Sequence, residues 1–213
     1  MLRPTFIVVA LCGLLWGCAV PEGPAAEDGA AYLGLTPGTT LRYDVGNGVT
    51  ETQDMKDSGF LFAGGLPVDV FARQGGFIKD ERSLTFGIDI EQVSLVRFFD
   101  CLARCGTLDG PIPFLSWPLN DGQSTEGEAT VTVSAGETST LHIENHSTAV
   151  SGPQEITVAG GTFDAFLIAW TRTSTAVDGA VVTDDALLHL APGVGVVKHE
   201  TFDGSVLELA AVP

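Results

Sequence analysis

The side chains whose types and spacing could do chemistry are concentrated in His142-Ile-Glu-Asn-His146. Two imidazoles and a carboxylate at alternate positions could ligate zinc, which at a catalytic site takes three protein ligands within about 2.2 Å. The pattern is not the H-E-x-x-H of zinc proteases, because the glutamate is displaced and the setting is a strand rather than a helix. On a strand His142, Glu144 and His146 share one face, with Leu141 and Ile143 opposite. Neighbours in that row stand about 6.6 Å apart, so they would share a metal only by leaning together. A solvated polar face is the favoured reading. A metal-dependent hydrolase using His142 and His146 is its rival.

Other candidates are weaker. His189 and His199 fall on different strands with no serine or cysteine nucleophile marked beside them. Asp178, Asp184, Asp185 and Asp203 could gather calcium at a loop end, but scattered loop carboxylates are ordinary in an acidic chain. No nucleophile elbow, phosphate-binding loop, dinucleotide glycine pattern or EF-hand spacing occurs. The chain therefore offers no catalytic residue, metal site or cofactor site to defend.

The cysteines carry more information. Met1 to Cys18 has a basic start at Arg3, an apolar run from Phe6 to Leu15, and Leu15-Trp16-Gly17-Cys18 at its end. The run is shorter than the roughly 20 apolar residues that span a bilayer. It reads as an export signal. Its ending resembles the lipobox of bacterial lipoproteins, with bulky Trp16 where small or branched residues are usual. That resemblance implies cleavage after residue 17, acylation of Cys18 and a membrane partner reached through the lipid anchor. Several acyl chains at about 0.8 kcal/mol per buried methylene anchor stably. Ala19, rather than aspartate, after the cysteine points by the same resemblance to the outer membrane, at its periplasmic face or the cell surface.

Cys12 leaves with the leader, so Cys101 and Cys105 are the thiols left to the folded part. An oxidising envelope makes a disulfide between them the default. Along an extended strand they would stand about 13 Å apart, against roughly 4.4–6.8 Å between the Cα atoms of a disulfide. Residues 101–105 must therefore turn.

The whole chain carries 10 basic and 27 acidic residues, a net charge of −17. Removal of Arg3 with the leader takes the remainder to −18. Nucleic-acid binding needs a basic footprint, which this chain lacks. Docking on anionic lipid headgroups is disfavoured for the same reason.

The elements that must position these residues are short strands. Twenty-six glycines and eleven prolines punctuate a Thr- and Val-rich sequence. Residues 18–31 are small, polar and proline-broken, so they read as a lipidated tether, and 32–213 as an antiparallel β domain. Leu41, Tyr43 and Val45 alternate with Thr40, Arg42 and Asp44 before the turn Gly46-Asn-Gly48. Thr162 to Thr171 is apolar on both faces and predicts a central strand covered on both sides. Val177-Asp-Gly-Ala180 and Asp203-Gly204 predict tight hairpins.

Three stretches are similar to a broad set of uncharacterised bacterial lipoproteins: Leu35 to Tyr43, Glu155 to Ala165 and Leu190 to Lys198. The last, Leu-Ala-Pro-Gly-Val-Gly-Val-Val-Lys, matches the family's closing motif best, and Lys198 within it reads as a solvated strand charge. The resemblance implies a curved antiparallel sheet, a half-barrel or sandwich with minimal helix, and a location. It transfers no catalytic residues. A weaker echo at Trp117-Pro-Leu-Asn-Asp-Gly122 suggests two similar halves, 32–110 and 111–213.

The resulting expectation is an all-β, lipid-anchored, non-enzymatic cell-envelope protein that binds an apolar ligand or an envelope partner. Phe114, Trp117 and Trp170 would line the ligand site if they are not simply core. A docking subunit of an envelope complex is a further possibility.

Overall fold

The structure, a computed structural model, describes residues 26–58, 66–74, 83–89, 91–100, 104–135 and 138–211. Among the described residues one short helix, α1 (Ala26–Tyr32), precedes thirteen strands. They are β1 (Thr40–Gly46), β2 (Val49–Asp57), β3 (Leu66–Gln74), β4 (Ser83–Ile88), β5 (Gln92–Asp100), β6 (Arg104–Leu108) and β7 (Ile112–Ser116). Then follow β8 (Ser124–Ala135), β9 (Thr138–Val158), β10 (Gly161–Ala176), β11 (Val181–Ala191), β12 (Gly195–Glu200) and β13 (Val206–Ala211).

All pairings are antiparallel and most join strands that follow one another in the chain. The order runs β4-β3-β2-β1-β13-β12-β11-β10-β9-β8-β6-β5, and β5 pairs again with β4. That last ladder curls the sheet round on itself into a barrel-like wall. The all-β expectation holds, and the half-barrel is carried through to closure. Closure matters energetically because a free edge leaves a row of unpaired backbone groups.

β6 and β7 are two pieces of one bent strand. Both pair with the same edge of β5, Asp100 opposite Arg104 at one end and Gln92 opposite Ser116 at the other. β6 also pairs with β8, Leu108 opposite Val131. β7 instead tucks inward: the Phe114 carbonyl accepts a 2.7 Å hydrogen bond from the buried Thr148 hydroxyl on β9. Gly127 on β8 permits this, since a Cβ there would lie 2.6 Å from Pro113 Cδ.

Alternation places the core. Leu41 and Tyr43 on β1, Val93 and Leu95 on β5, Ile168 and Trp170 on β10, and Leu207 and Leu209 on β13 are buried inside the wall. The Tyr43 hydroxyl donates a 2.8 Å hydrogen bond to the Val196 carbonyl. Burial, and secondarily the Glu51 carboxylate, push its ionisation above the ordinary phenol range.

β10 departs from its expected burial on both faces. Ile168 and Trp170 are buried but Ala169 between them is exposed, and a bulge between Ala165 and Leu167 bends the strand. The single-layer wall covers β10 on its inner side, and among the described residues no second layer covers the outer.

The tether read from composition also needs correcting over residues 26–31. These lie in α1, where Ala30 is buried. Gly29 sits so close to Trp117 that a Cβ would lie 2.5 Å from the indole. The Tyr32 carbonyl accepts a 2.7 Å hydrogen bond from the Gly193 amide, and Leu33 is buried beyond the helix. Small residues, read as spacer composition, are here what lets a helix lie flat on the end of the barrel.

α1 therefore caps the barrel end that carries the β11–β12 turn. The far end carries the turns 46–48, 177–180 and 201–205.

Candidate functional site

The barrel interior holds an apolar cavity of about 190 Å³. An apolar cavity of about 150 Å³ is large enough to stay dry and bind benzene, so this one is of ligand size. Its floor is Leu33 and Leu35, which follow α1. Its walls include Leu41 and Tyr43 of β1, Val93 of β5, Ile168 of β10, Leu188 of β11 and Leu207 of β13. These are the inward residues of successive strands, so the cavity is a direct product of the period-2 pattern.

Polar residues enter the lining mainly toward the far end. Glu51 and Gln53 reach it from β2, and His199 and Thr201 from β12 and the residue that follows it. The Gln53 amide donates a 3.0 Å hydrogen bond to the Glu51 carboxylate. An apolar interior with a few polar groups at one side is the usual make-up of a small-molecule site.

An aromatic stack separates this cavity from the polar part of the barrel wall. Trp170 meets Phe114 at 4.9 Å between ring centroids and Phe202 at 4.7 Å, both edge to face. Phe114 and Trp170, weighed as lining or core, are both: they are buried and they border the cavity. Trp117 is core at the helix end, donating its indole N–H to the Asp89 carbonyl at 3.0 Å. The Trp170 indole N–H is buried and has no acceptor.

Beyond Trp170 lies the His142–His146 row, with its faces the reverse of the sequence expectation. Glu144 and His146 are only 7% and 4% exposed, whereas Leu141 and Ile143 are 51% and 44% exposed. The row is polar but it faces inward, in phase with buried Thr148 and Val150 further along β9. That parity with Val150 was the available signal.

The inward row does not assemble a metal centre. His146 Nε2 and Glu144 Oε2 are 3.7 Å apart, and neither His146 ring nitrogen has a hydrogen-bond partner. His142 instead stands 3.1 Å from the Thr140 hydroxyl and 3.5 Å from that of Ser174. Among the described residues no three His, Cys, Asp or Glu side chains converge as metal ligands. The hydrolase geometry that needed His142 and His146 together is not formed.

The scattered aspartates serve local structure. Asp184 pairs with Arg172 at 2.6 Å, and that guanidinium lies 4.5 Å over the Phe202 ring. Asp185 accepts from Thr171 at 2.6 Å, Asp178 from the Ala180 amide at 3.0 Å, and Asp203 from the Ser205 amide at 3.0 Å. Lys198 is not simply solvated: it lies between Glu200 at 3.7 Å and Glu208 at 3.6 Å. Burial, with Lys198 beside it, holds the His189 imidazole below its ordinary ionisation range against an opposing pull from Glu200. Cys18 and Cys101 lie outside the described residues. Cys105 is on β6, opposite Phe99 of β5.

Residues 112–206 match the DUF3108-like family. The match runs from β7 to the first residue of β13 and includes Trp170 and the inward row. No curated protein matches the chain. Among solved structures, a candidate lipoprotein from Parabacteroides distasonis superposes with a TM-score of 0.54 at 13% identity, covering 85% of this chain and 98% of that one. A candidate exported protein with a YmcC-like fold from Bacteroides fragilis does so with a TM-score of 0.51 at 9% identity, with the same coverage. At such identities the likeness is one of fold.

Sequence reasoning missed Glu51, Gln53 and Thr201 as cavity residues. Each sits among polar neighbours near a strand end, and only ring closure turns them toward the same interior.

Proposed function

We propose that this protein is a lipid-anchored, non-enzymatic binding module of the bacterial cell envelope, whose barrel interior holds an apolar ligand. The single observation that carries the binding reading is the 190 Å³ apolar cavity bounded by Leu33, Ile168, Trp170 and Leu188. The lipobox-like Leu15-Trp16-Gly17-Cys18 supports the anchor. The two similar folds described as a candidate lipoprotein and a candidate exported protein agree with export. Cys101 and Cys105 form the expected disulfide in this reading.

The anchor also sets an orientation. Seven residues separate Cys18 from α1, a reach of at most about 25 Å. The helix-capped end then faces the membrane and the polar far end points away from it.

Two measurements test the reading. Growth with a labelled fatty acid should label the natural chain and not the Cys18→Ser variant; equal labelling of both overturns the anchor. Titration with an environment-sensitive apolar fluorophore should show saturable binding that octane displaces. Absence of saturable binding overturns the ligand role.

A second reading, docking of an envelope partner, has one observation in its favour. Leu141, Ile143, Val177 and Val181 are exposed apolar side chains at the far end, and Thr175 stands opposite both Ile143 and Val181. If they form the docking face, Leu141→Ser/Ile143→Ser abolishes recovery of the partner from membranes while leaving fluorophore binding intact.

A further inference from the structure

The outer wall of β8 to β11 carries two adjoining features that the barrel interior does not use. The first, toward the far end, is apolar. Thr130 stands opposite Ile143, Ile143 opposite Thr175, and Thr175 opposite Val181. Leu141, Ile143 and Val181 are 51%, 44% and 59% exposed. The second feature lies on the same face, two and four residues from that row along β8, β9 and β10. It is a groove of about 310 Å³ whose lining includes Glu126, Glu128, Asn145, Ser147, Thr171 and Thr173. The Thr171 and Thr173 hydroxyls are engaged sideways, with the Asp185 carboxylate at 2.6 Å and the Thr183 hydroxyl at 3.2 Å. Glu126 and Glu128 are exposed, and among the described residues their carboxylates take part in no hydrogen bond or ion pair. The groove therefore presents two free anionic acceptors directly behind an apolar row. Size limits what fits there. With strands about 4.8 Å apart and about 3.3 Å per residue, the face from Leu141 to Ser147 measures roughly 14 Å by 20 Å, near 300 Å². A stable dimer needs about 800 Å² per partner, so this face suits a short segment rather than a globular surface.

We propose, resting on the docking reading above, that this face binds an extended segment of a second envelope protein, apolar at one end and basic at the other. Apolar side chains of the segment cover Leu141, Ile143 and Val181. Lysine or arginine side chains two and four residues further along, about 7 and 13 Å in extended chain, reach Glu128 and Glu126. Ammonium and guanidinium groups carry donors and no acceptor, which is what two free carboxylates recognise. A second copy of this chain is a poor occupant. An isologous contact would bring the same carboxylates face to face in a protein of net charge −17. Anionic lipid headgroups are repelled by the same pair.

The test is photo-crosslinking in the bacterium that encodes the protein, with benzoylphenylalanine placed at residue 141 of the full-length chain. The control position is Glu155, an exposed residue near the opposite end of β9. One discrete protein should be captured from position 141 and not from 155. Mass spectrometry should place the link in a segment with two basic residues within about six residues of it. Glu126→Gln/Glu128→Gln should lower the captured fraction about fivefold, the equivalent of two exposed ion pairs, without moving the thermal unfolding midpoint. Raising salt to about 0.5 M in isolated envelopes should lower it similarly. Capture that is equal with and without the carboxylates, or through a segment lacking basic residues, overturns the assigned chemistry while the docking reading stands. Links to a second copy or to lipid overturn the class of partner. Absence of any link from position 141 in a folded, membrane-bound chain removes the docking reading itself.

Discussion

Gly34→Ala is the substitution that most sharply separates a docked helical cap from a loosely attached one. Gly34 has φ of +69°, and an added Cβ would lie 2.3 Å from the Gly195 Cα and 2.6 Å from the Val194 carbonyl oxygen. A left-handed alanine costs about 1–2 kcal/mol, and forcing atoms into a packed contact a further 1–3 kcal/mol. Both neighbours are backbone, so no rotamer change relieves them. The chain has one cheaper escape, which is to lift α1 off the barrel. That exposes Leu33 and Ala30, both almost fully buried, at about 1.5–3 kcal/mol for the leucine and about 0.8 kcal/mol for the alanine methyl. The smaller cost prevails, so Gly34→Ala should lose about 2–4 kcal/mol, mostly by undocking the helix. Gly38→Ala is the control: its φ is +93° but nothing stands within 4 Å of the added Cβ, so only the backbone cost of about 1–2 kcal/mol applies. Urea unfolding followed by tryptophan fluorescence measures both, and hydrogen exchange over residues 26–35 reports the undocking directly. Equal losses in the two variants, or unchanged protection of residues 26–35 in Gly34→Ala, would refute the close contact between this segment and the β11–β12 turn.

Other consequences follow from the buried polar groups. Tyr43→Phe removes the 2.8 Å bond to the Val196 carbonyl and should destabilise by about 1–2 kcal/mol in urea unfolding. Because the folded-state ionisation of Tyr43 is raised, the natural protein's stability should also fall as pH climbs above about 10, and less steeply in the phenylalanine variant. Glu144→Leu/His146→Leu, which replaces a buried pair in which Glu144 Oε2 and both His146 ring nitrogens lack hydrogen-bond partners, should be at least as stable as the natural chain, whereas either single change should be the less stable form; a large loss in the double variant by calorimetry contradicts this. His189 is held below its ordinary range, so its contribution is present above about pH 6.5 and is lost as pH falls through the lowered value. His189→Gln should therefore flatten the thermal-stability profile between pH 7 and pH 5.

Much of the wall was legible because hairpin chemistry is local. Asp203-Gly204 and Val177 to Ala180 turn where their residue types say, and Leu41 and Tyr43 point inward as their alternation with Arg42 and Asp44 requires. What alternation does not specify is which face is inner. At residues 141–146 the local contrast favours Leu141 and Ile143 as the buried face, yet continuity with Thr148 and Val150 turns the opposite face in. A strand of 21 residues carries one parity along its length between bulges, and the longer run prevails over the local pattern. α1 was illegible for another reason: seven residues are too few to show a helical period. Its stability comes from Gly29 against Trp117 and Leu33 against the core, contacts between segments far apart in the chain. The cavity depends on the β4–β5 ladder closing the ring, and no local signal encodes that.

The central claim is that the closed barrel holds an apolar guest. Native mass spectrometry of the full-length chain produced in bacteria and released gently from membranes tests it most directly. The account predicts a stoichiometric non-covalent adduct of lipid-like mass, beyond any acyl chains on Cys18, that disappears when Leu188→Trp fills the cavity. An adduct-free natural chain, or an adduct that survives Leu188→Trp in a folded protein, would contradict it.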